Sequence, residues 1–124
     1  MRPLRDTLSL GLVALAMAGC GSNGKGPQLV PGASPSRGKA EIVDYGCGAC
    51  HTIPGIRGAD AVVGPSLDDT GGKRFIAGRF PNRPDDLVRW IMHPQRLLRG
   101  SLMPELGVSR DEARDIAAYL YDRT

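Results

Sequence analysis

The sequence predicts a small all-α domain, on three observations. Apolar residues recur at spacings of three and four in three separate segments, no segment alternates apolar and polar residues in the two-residue period of a strand, and there is no internal repeat. With 124 residues, 41% of them hydrophobic, and a formal charge of +3, the chain has enough apolar content to fold. It is too short for a multidomain enzyme.

The first helix is expected over residues 39–48, where Ala40, Val43 and Cys47 fall on one stripe. The second is expected over residues 84–93. Pro84 suits an N-terminal helical position, Asp85 and Asp86 complement the positive end of the helix dipole, and Leu87, Val88 and Ile91 form the apolar stripe before Pro94 stops it. The third starts at Ser109-Arg110-Asp111-Glu112, a capping box, and continues with Ala113, Ile116, Ala117 and Leu120 on one face. The pairs Asp68-Asp69 and Asp85-Asp86 read as solvated charges of a loop and a helix start.

Ahead of the helical part, Arg2 and Arg5 form a basic start, and an apolar run from Leu8 to Ala18 ends in small residues. Spanning a bilayer takes about 20 apolar residues, so this run reads as an export signal rather than a membrane helix. Met17-Ala18-Gly19-Cys20 resembles the lipobox of bacterial lipoproteins, where the chain is cut before the cysteine and the cysteine is acylated. Cleavage as an ordinary secretory signal is the alternative. Residues 21–37 are mostly Gly, Pro and Ser with little to bury, the composition of a tether. The expected organisation is a lipoprotein signal peptide over 1–19, a lipidated flexible tether over 20–37 and a folded domain over 38–124. That places the protein on the periplasmic side of a bacterial membrane, lipid-anchored, or free in the periplasm if Cys20 is not acylated. Loss of residues 1–19 removes Arg2, Arg5 and Asp6 and leaves +2, which points to no nucleic-acid partner.

A core this small calls for a staple such as a disulfide, a metal or a large cofactor. The cysteine count is three, an odd number, and with Cys20 assigned to acylation the remainder lies in Cys47-Gly48-Ala49-Cys50-His51. CxxCH is the attachment pattern of c-type haem. Each thiol adds to a vinyl group on one edge of the porphyrin, and the adjacent imidazole is aimed at the iron. The competing readings are a redox CxxC pair, which wants a βαβ context, and half a zinc site, which needs two more ligands when only His93 is in reserve.

An electron-carrying haem takes a second axial ligand, for which Met92, His93 and Met103 are the candidates. Met103 precedes Pro104 and follows Gly100-Ser101-Leu102, so it sits on a loop, which makes it the preferred ligand. Met92 falls within the second helix, where packing accounts for it. His93, at that helix's end, is the alternative ligand, and a gap-filling loop residue is the alternative role for Met103.

Taken in chain order, Cys47–His51, Gly64-Pro65-Ser66-Leu67, Arg74 with Phe75-Ile76-Ala77-Gly78, Asn82, Trp90-Ile91 with Pro94-Gln95, Met103-Pro104 and Ile116–Leu120 resemble a class I monohaem cytochrome c over nearly all of residues 38–124. Among such domains the chain is most similar to those associated with haem–copper oxidase subunit II and to small membrane-attached bacterial cytochromes c. The resemblance implies three or more helices wrapped around one covalently bound haem c. It also implies that the Pro65 carbonyl orients His51, that Arg74 and Trp90 hydrogen-bond a haem propionate, and that Tyr119 or Leu120 crosses the face of Ala40 and Val43. The family's Pro-Gly step before the methionine loop is replaced here by Leu98-Arg99-Gly100, and no glycine stands out at the helix crossing.

The expected function is one-electron transfer with His51 and Met103 as axial ligands, without catalysis of its own, in a membrane-anchored shuttle of a respiratory chain. The alternative is a haem relay subunit of a dehydrogenase or oxidase complex. A sensor or peroxidase-like site with a labile distal ligand is a third possibility. Redox partners would be a respiratory oxidase, a bc-type complex or a dehydrogenase.

Overall fold

The computed structural model describes residues 30–123. Its helices are α1 (Pro35–Asp44), α2 (Pro84–Met92), α3 (Pro94–Leu97) and α4 (Arg110–Asp122). Between α1 and α2 lie two single 3-10 turns, at Cys47–Ala49 and Thr70–Gly72, and a two-stranded antiparallel hairpin of β1 (Phe75–Ile76) and β2 (Phe80–Pro81).

The domain is all-α apart from that hairpin, which the absence of an alternating pattern gave no reason to expect. Two-residue strands are too short to show a period. What makes the hairpin is its three-residue loop, Ala77 to Arg79, in which Ala77 at φ 51° and Gly78 at φ 64° both occupy the left-handed region and the Arg79 N–H donates to the Ile76 carbonyl at 3.0 Å.

The first helix begins four residues earlier than expected and ends four earlier. Ser34 caps it by accepting from the Arg37 N–H, Pro35 fits its first turn, and Gly46 at φ 70° turns the chain after Tyr45. The tether composition therefore extends into packed structure, because Val30 is 2% exposed and Pro35 is already helical. The buried face of α1 also differs from the expected stripe. Gly38 and Ile42 are buried, whereas Ala40 and Val43 are exposed.

Helices α1 and α4 form the main packing pair, and α2 packs on α4 as well. Gly38 is the crossing residue that the sequence did not single out. A methyl group there would lie far inside contact distance of the Asp115 carbonyl oxygen and 2.7 Å from the Ile116 nitrogen, so the two backbones meet directly. The expected crossing of Tyr119 or Leu120 on Ala40 and Val43 is replaced by this contact. The core is completed by Ile53, Leu87, Val88, Ile91, Val108 and the Ala113, Ile116, Ala117, Leu120 stripe of α4, all buried. Each of the larger aliphatic side chains there contributes about 1.5–3 kcal/mol of burial.

The capping box of α4 is formed: the Ser109 hydroxyl accepts from the Glu112 N–H and the Glu112 carboxylate accepts from the Ser109 N–H. Helix α2 has its expected bounds within one residue, and Pro94, read as a stop, also opens α3. Asp86 is not a solvated charge. It is 8% exposed and accepts from Arg83 Nε at 2.8 Å and Arg89 at 2.6 Å, which outweigh its desolvation. Among the described residues no helix is long and apolar enough to cross a membrane, and Met17, Cys20 and the rest of the tether ahead of Val30 lie outside them.

Candidate functional site

The CxxCH motif follows α1 on a tight turn. The Cys47 carbonyl accepts from the N–H groups of Cys50 at 3.2 Å and His51 at 3.1 Å, which brings all three reactive side chains onto one short stretch. Cys47 and Cys50 are free thiols, partly buried, and burial pushes the Cys47 thiol up. Gly48 packs on Ala59, whose Cβ lies 2.8 Å from where a side chain would start. The first spacer of the motif therefore has no room for a larger residue.

The segment after the motif returns across it. The Gly64 N–H donates to the Cys50 carbonyl at 2.7 Å, the Leu67 N–H to the Thr52 carbonyl at 2.9 Å and the Thr52 hydroxyl to the Ala61 carbonyl at 3.0 Å. This clamp fixes the Pro65 carbonyl beside His51, with Nδ1 to oxygen at 2.7 Å. A carbonyl only accepts, so in the neutral ring Nδ1 carries the hydrogen and Nε2 keeps the lone pair that a metal needs. The role expected for Pro65 thus has its hydrogen bond in place. Gly64 lies against the same ring, and a Cβ there would stand 2.7 Å from Nδ1 and 3.0 Å from Nε2.

Met103 lies on the loop between α3 and α4, half-buried, with its N–H donating to the Ser101 hydroxyl at 3.2 Å. Gly100 at φ 83° turns the chain into that loop in place of a Pro-Gly step. Two residues beyond Met103, Glu105 Oε2 faces His93 Nδ1 at 3.6 Å and Arg96 Nε at 4.0 Å. His93 thus faces Glu105 at the α2–α3 elbow, and its Nδ1 has no hydrogen-bond partner.

Arg74 is exposed, and its backbone carbonyl accepts from the Asn82 N–H at 3.0 Å. Trp90 is half-buried on α2 with its ring tilted 39° on Phe80 at a centroid distance of 5.9 Å. Among the described residues neither side chain is hydrogen-bonded to the motif turn. The structure therefore brings Cys47, Cys50, His51 and Pro65 together and leaves Arg74, Trp90 and Met103 on other elements.

Asn82 is more deeply engaged than the sequence indicated. Its amide donates to the carbonyls of Thr70 at 2.6 Å and Lys73 at 2.7 Å while its oxygen accepts from the Tyr121 hydroxyl at 2.7 Å. Burial, with the Asp86 charge added, pushes the Tyr121 phenol up to about 12, which keeps it a donor. This network ties the loop ahead of Arg74 to α4.

The residues fit a c-type haem. Two unpaired thiols stand on one turn, the imidazole is held in the ligand tautomer, and Gly64 leaves the ring face uncrowded. Large exposed apolar side chains stand next to two of these positions in the chain, Val62 and Val63 just ahead of Gly64 and Leu102 just ahead of Met103. The competing readings find less. Among the described residues no group of three or more His, Cys, Asp or Glu side chains is placed to hold a metal ion, and the CxxC has no βαβ setting.

No family model matches the chain. Over 86 residues, 68% of its length, it is 30% identical to a protein named cytochrome c oxidase subunit 2 from Alkalihalophilus pseudofirmus. That stretch is 24% of the relative, so the chain spans about a quarter of the curated protein it matches. The chain is thus a small helical domain with weak, partial homology to a respiratory-oxidase protein.

Proposed function

We propose that the chain is a one-electron relay domain carrying a single covalent haem c, working as part of, or docked on, an oxidase-type respiratory complex. The observation that carries this reading is the His51 Nδ1 to Pro65 carbonyl bond directly after a pair of free thiols. The partial homology to an oxidase subunit supports the relay over an independent shuttle.

Cys47 and Cys50 would hold the haem through thioethers, and His51 and Met103 would bind the iron, leaving no substrate to be transformed. When bound, the haem supplies a reversible ferric–ferrous couple. The protein's part is to orient His51 through Pro65, to raise its basicity and to keep the ring dry. Arg74 and Trp90 would donate to the propionates. A second reading, a shuttle held to the periplasmic face of a membrane by acylated Cys20, rests on the Met17–Cys20 motif.

Expression in a host competent for cytochrome maturation tests the proposal. A pyridine haemochrome of the c type and a mass increase of one haem are expected, both lost in Cys47→Ser/Cys50→Ser. A colourless mature chain refutes it. Purification in detergent separates the two readings: co-elution with a copper or flavin partner supports the relay, and a lone haem protein supports the shuttle.

A further inference from the structure

We infer that His93, Arg96 and Glu105 form a charged clasp that positions the Met103 loop, so that Glu105 and His93 are positioning residues for the second axial ligand. This rests on the reading of Met103 as that ligand.

The loop after α3 is held locally by the Ser101 N–H donating to the Leu98 carbonyl at 3.1 Å and the Met103 N–H donating to the Ser101 hydroxyl at 3.2 Å. Gly100 at φ 83°, Leu102 at 88% exposure and Pro104 leave it without helical or sheet hydrogen bonding around Met103. A methionine thioether is a weak, neutral ligand, so its hold on iron depends on how well the chain presents it. Glu105 is two residues further on and reaches back to the α2–α3 elbow, where His93 Nδ1 lies at 3.6 Å and Arg96 Nε at 4.0 Å.

The contact is partly exposed, and two features give it a role in the loop. His93 Nδ1 is buried and has no hydrogen-bond partner, while the Glu105 carboxylate lies 3.6 Å from it. An approach of under an ångström would turn that contact into a charge-assisted hydrogen bond and satisfy the atom. The elbow is also rigid, because the His93 N–H donates to the Arg89 carbonyl at 2.9 Å, the Leu97 N–H to the His93 carbonyl at 3.1 Å, and Pro94 is buried. A fixed elbow gripping a point two residues from Met103 limits how far that side chain can swing. The contact that restrains the loop is thus also the one that a small closure would turn into a partner for this atom.

The test uses the full-length ferric holoprotein, with Glu105→Gln, His93→Gln and Arg96→Gln compared with wild type. The readouts are the weak far-red thioether-to-iron band and the affinity for added imidazole, which displaces the methionine. Glu105→Gln and His93→Gln are expected to keep the fold and the haem but to bind imidazole about three- to tenfold more tightly, with Arg96→Gln less affected. Glu105→Asp should recover part of the difference, and guanidinium midpoints should stay close to wild type. Unchanged imidazole affinity in both Glu105→Gln and His93→Gln overturns the clasp. So does loss of the low-spin spectrum in His93→Gln with Met103→Leu unaffected, which would put His93 on the iron. A wild type that lacks the far-red band fails the axial assignment of Met103 and not the clasp geometry alone.

Discussion

Replacing Gly64 by alanine isolates the contact on which the site depends. Gly64 is absent from the left-handed glycines, so alanine strains no backbone there and the effect is confined to the new methyl group. That methyl would sit 2.7 Å from His51 Nδ1 and 3.0 Å from Nε2, against about 3.5–4.0 Å for ordinary contact, so the ring must withdraw by roughly 1 Å. The Nδ1 to Pro65 bond then lengthens from 2.7 Å to beyond hydrogen-bond range. Losing the bond costs about 1 kcal/mol and the crowding about 1–3 kcal/mol more, for a total of about 2–4 kcal/mol. With the proposed haem bound, that bond would make the imidazole a stronger donor and so would favour ferric iron. If about 1 kcal/mol of that preference is lost, the potential rises by roughly 40 mV, using 59 mV per factor of ten for one electron. Guanidinium unfolding and spectroelectrochemistry of the holoprotein measure the two quantities. Pro65→Ala, which keeps the carbonyl, serves as the control and should move the potential far less. A Gly64→Ala protein with wild-type stability and potential would show that the imidazole is not held as described.

Two further outcomes follow from the helix pair. Gly38→Ala drives a methyl into the Asp115 backbone, which cannot rotate away, and should lower unfolding stability by about 3 kcal/mol or abolish folding; a change under about 0.5 kcal/mol would refute the close crossing. Glu41 has a carboxyl raised by burial and by the neighbouring Asp115 and Glu112 charges, and its Oε2 has no hydrogen-bond partner. A raised carboxyl pKa means the folded state holds the proton more tightly. Its ionised form therefore weakens the fold at neutral pH, and this penalty disappears as pH falls through the folded value toward about 4.3. Glu41→Gln should raise the urea midpoint at pH 7 by less than about 1 kcal/mol equivalent and gain nothing near pH 4. Equal midpoints at pH 7 would count against it.

The long-period elements could be read directly from the residues. Ser109, Glu112 and the stripe from Ala113 to Leu120 specify α4 by capping and by period, and Pro84 with Pro94 brackets α2. The start of α1 was obscured because Gly32, Pro35 and Gly38 look like linker residues. Only the neighbouring backbone of Asp115 shows that Gly38 is small in order to pack. Asp86 and Asp115 were hidden for a related reason. A buried carboxylate is decided by its partners, Arg83 and Arg89 for one, Arg37 and the Ser34 N–H for the other, and a single chain does not display which charges meet. The covalent motif was visible because its spacing is local. The Gly64 contact and the Glu105 bridge depend on loops returning, over thirteen residues from His51 and twelve from His93, and no local pattern records such a return.

The entry of the chain into the domain sets how far the domain would stand from an anchor at Cys20. Val30 is buried, the Pro31 carbonyl accepts from Arg114 at 2.6 Å, and the Ser34 N–H donates to Asp115 at 2.6 Å, so the polypeptide is stitched along α4 from its first described residue. Ten peptide links separate Val30 from Cys20, a leash of at most about 35 Å at full extension. With an acyl chain on Cys20, that leash is on the order of one domain diameter. Acylation at Cys20 would thus hold the start of the domain within that distance of the bilayer while leaving it free to move along the membrane plane.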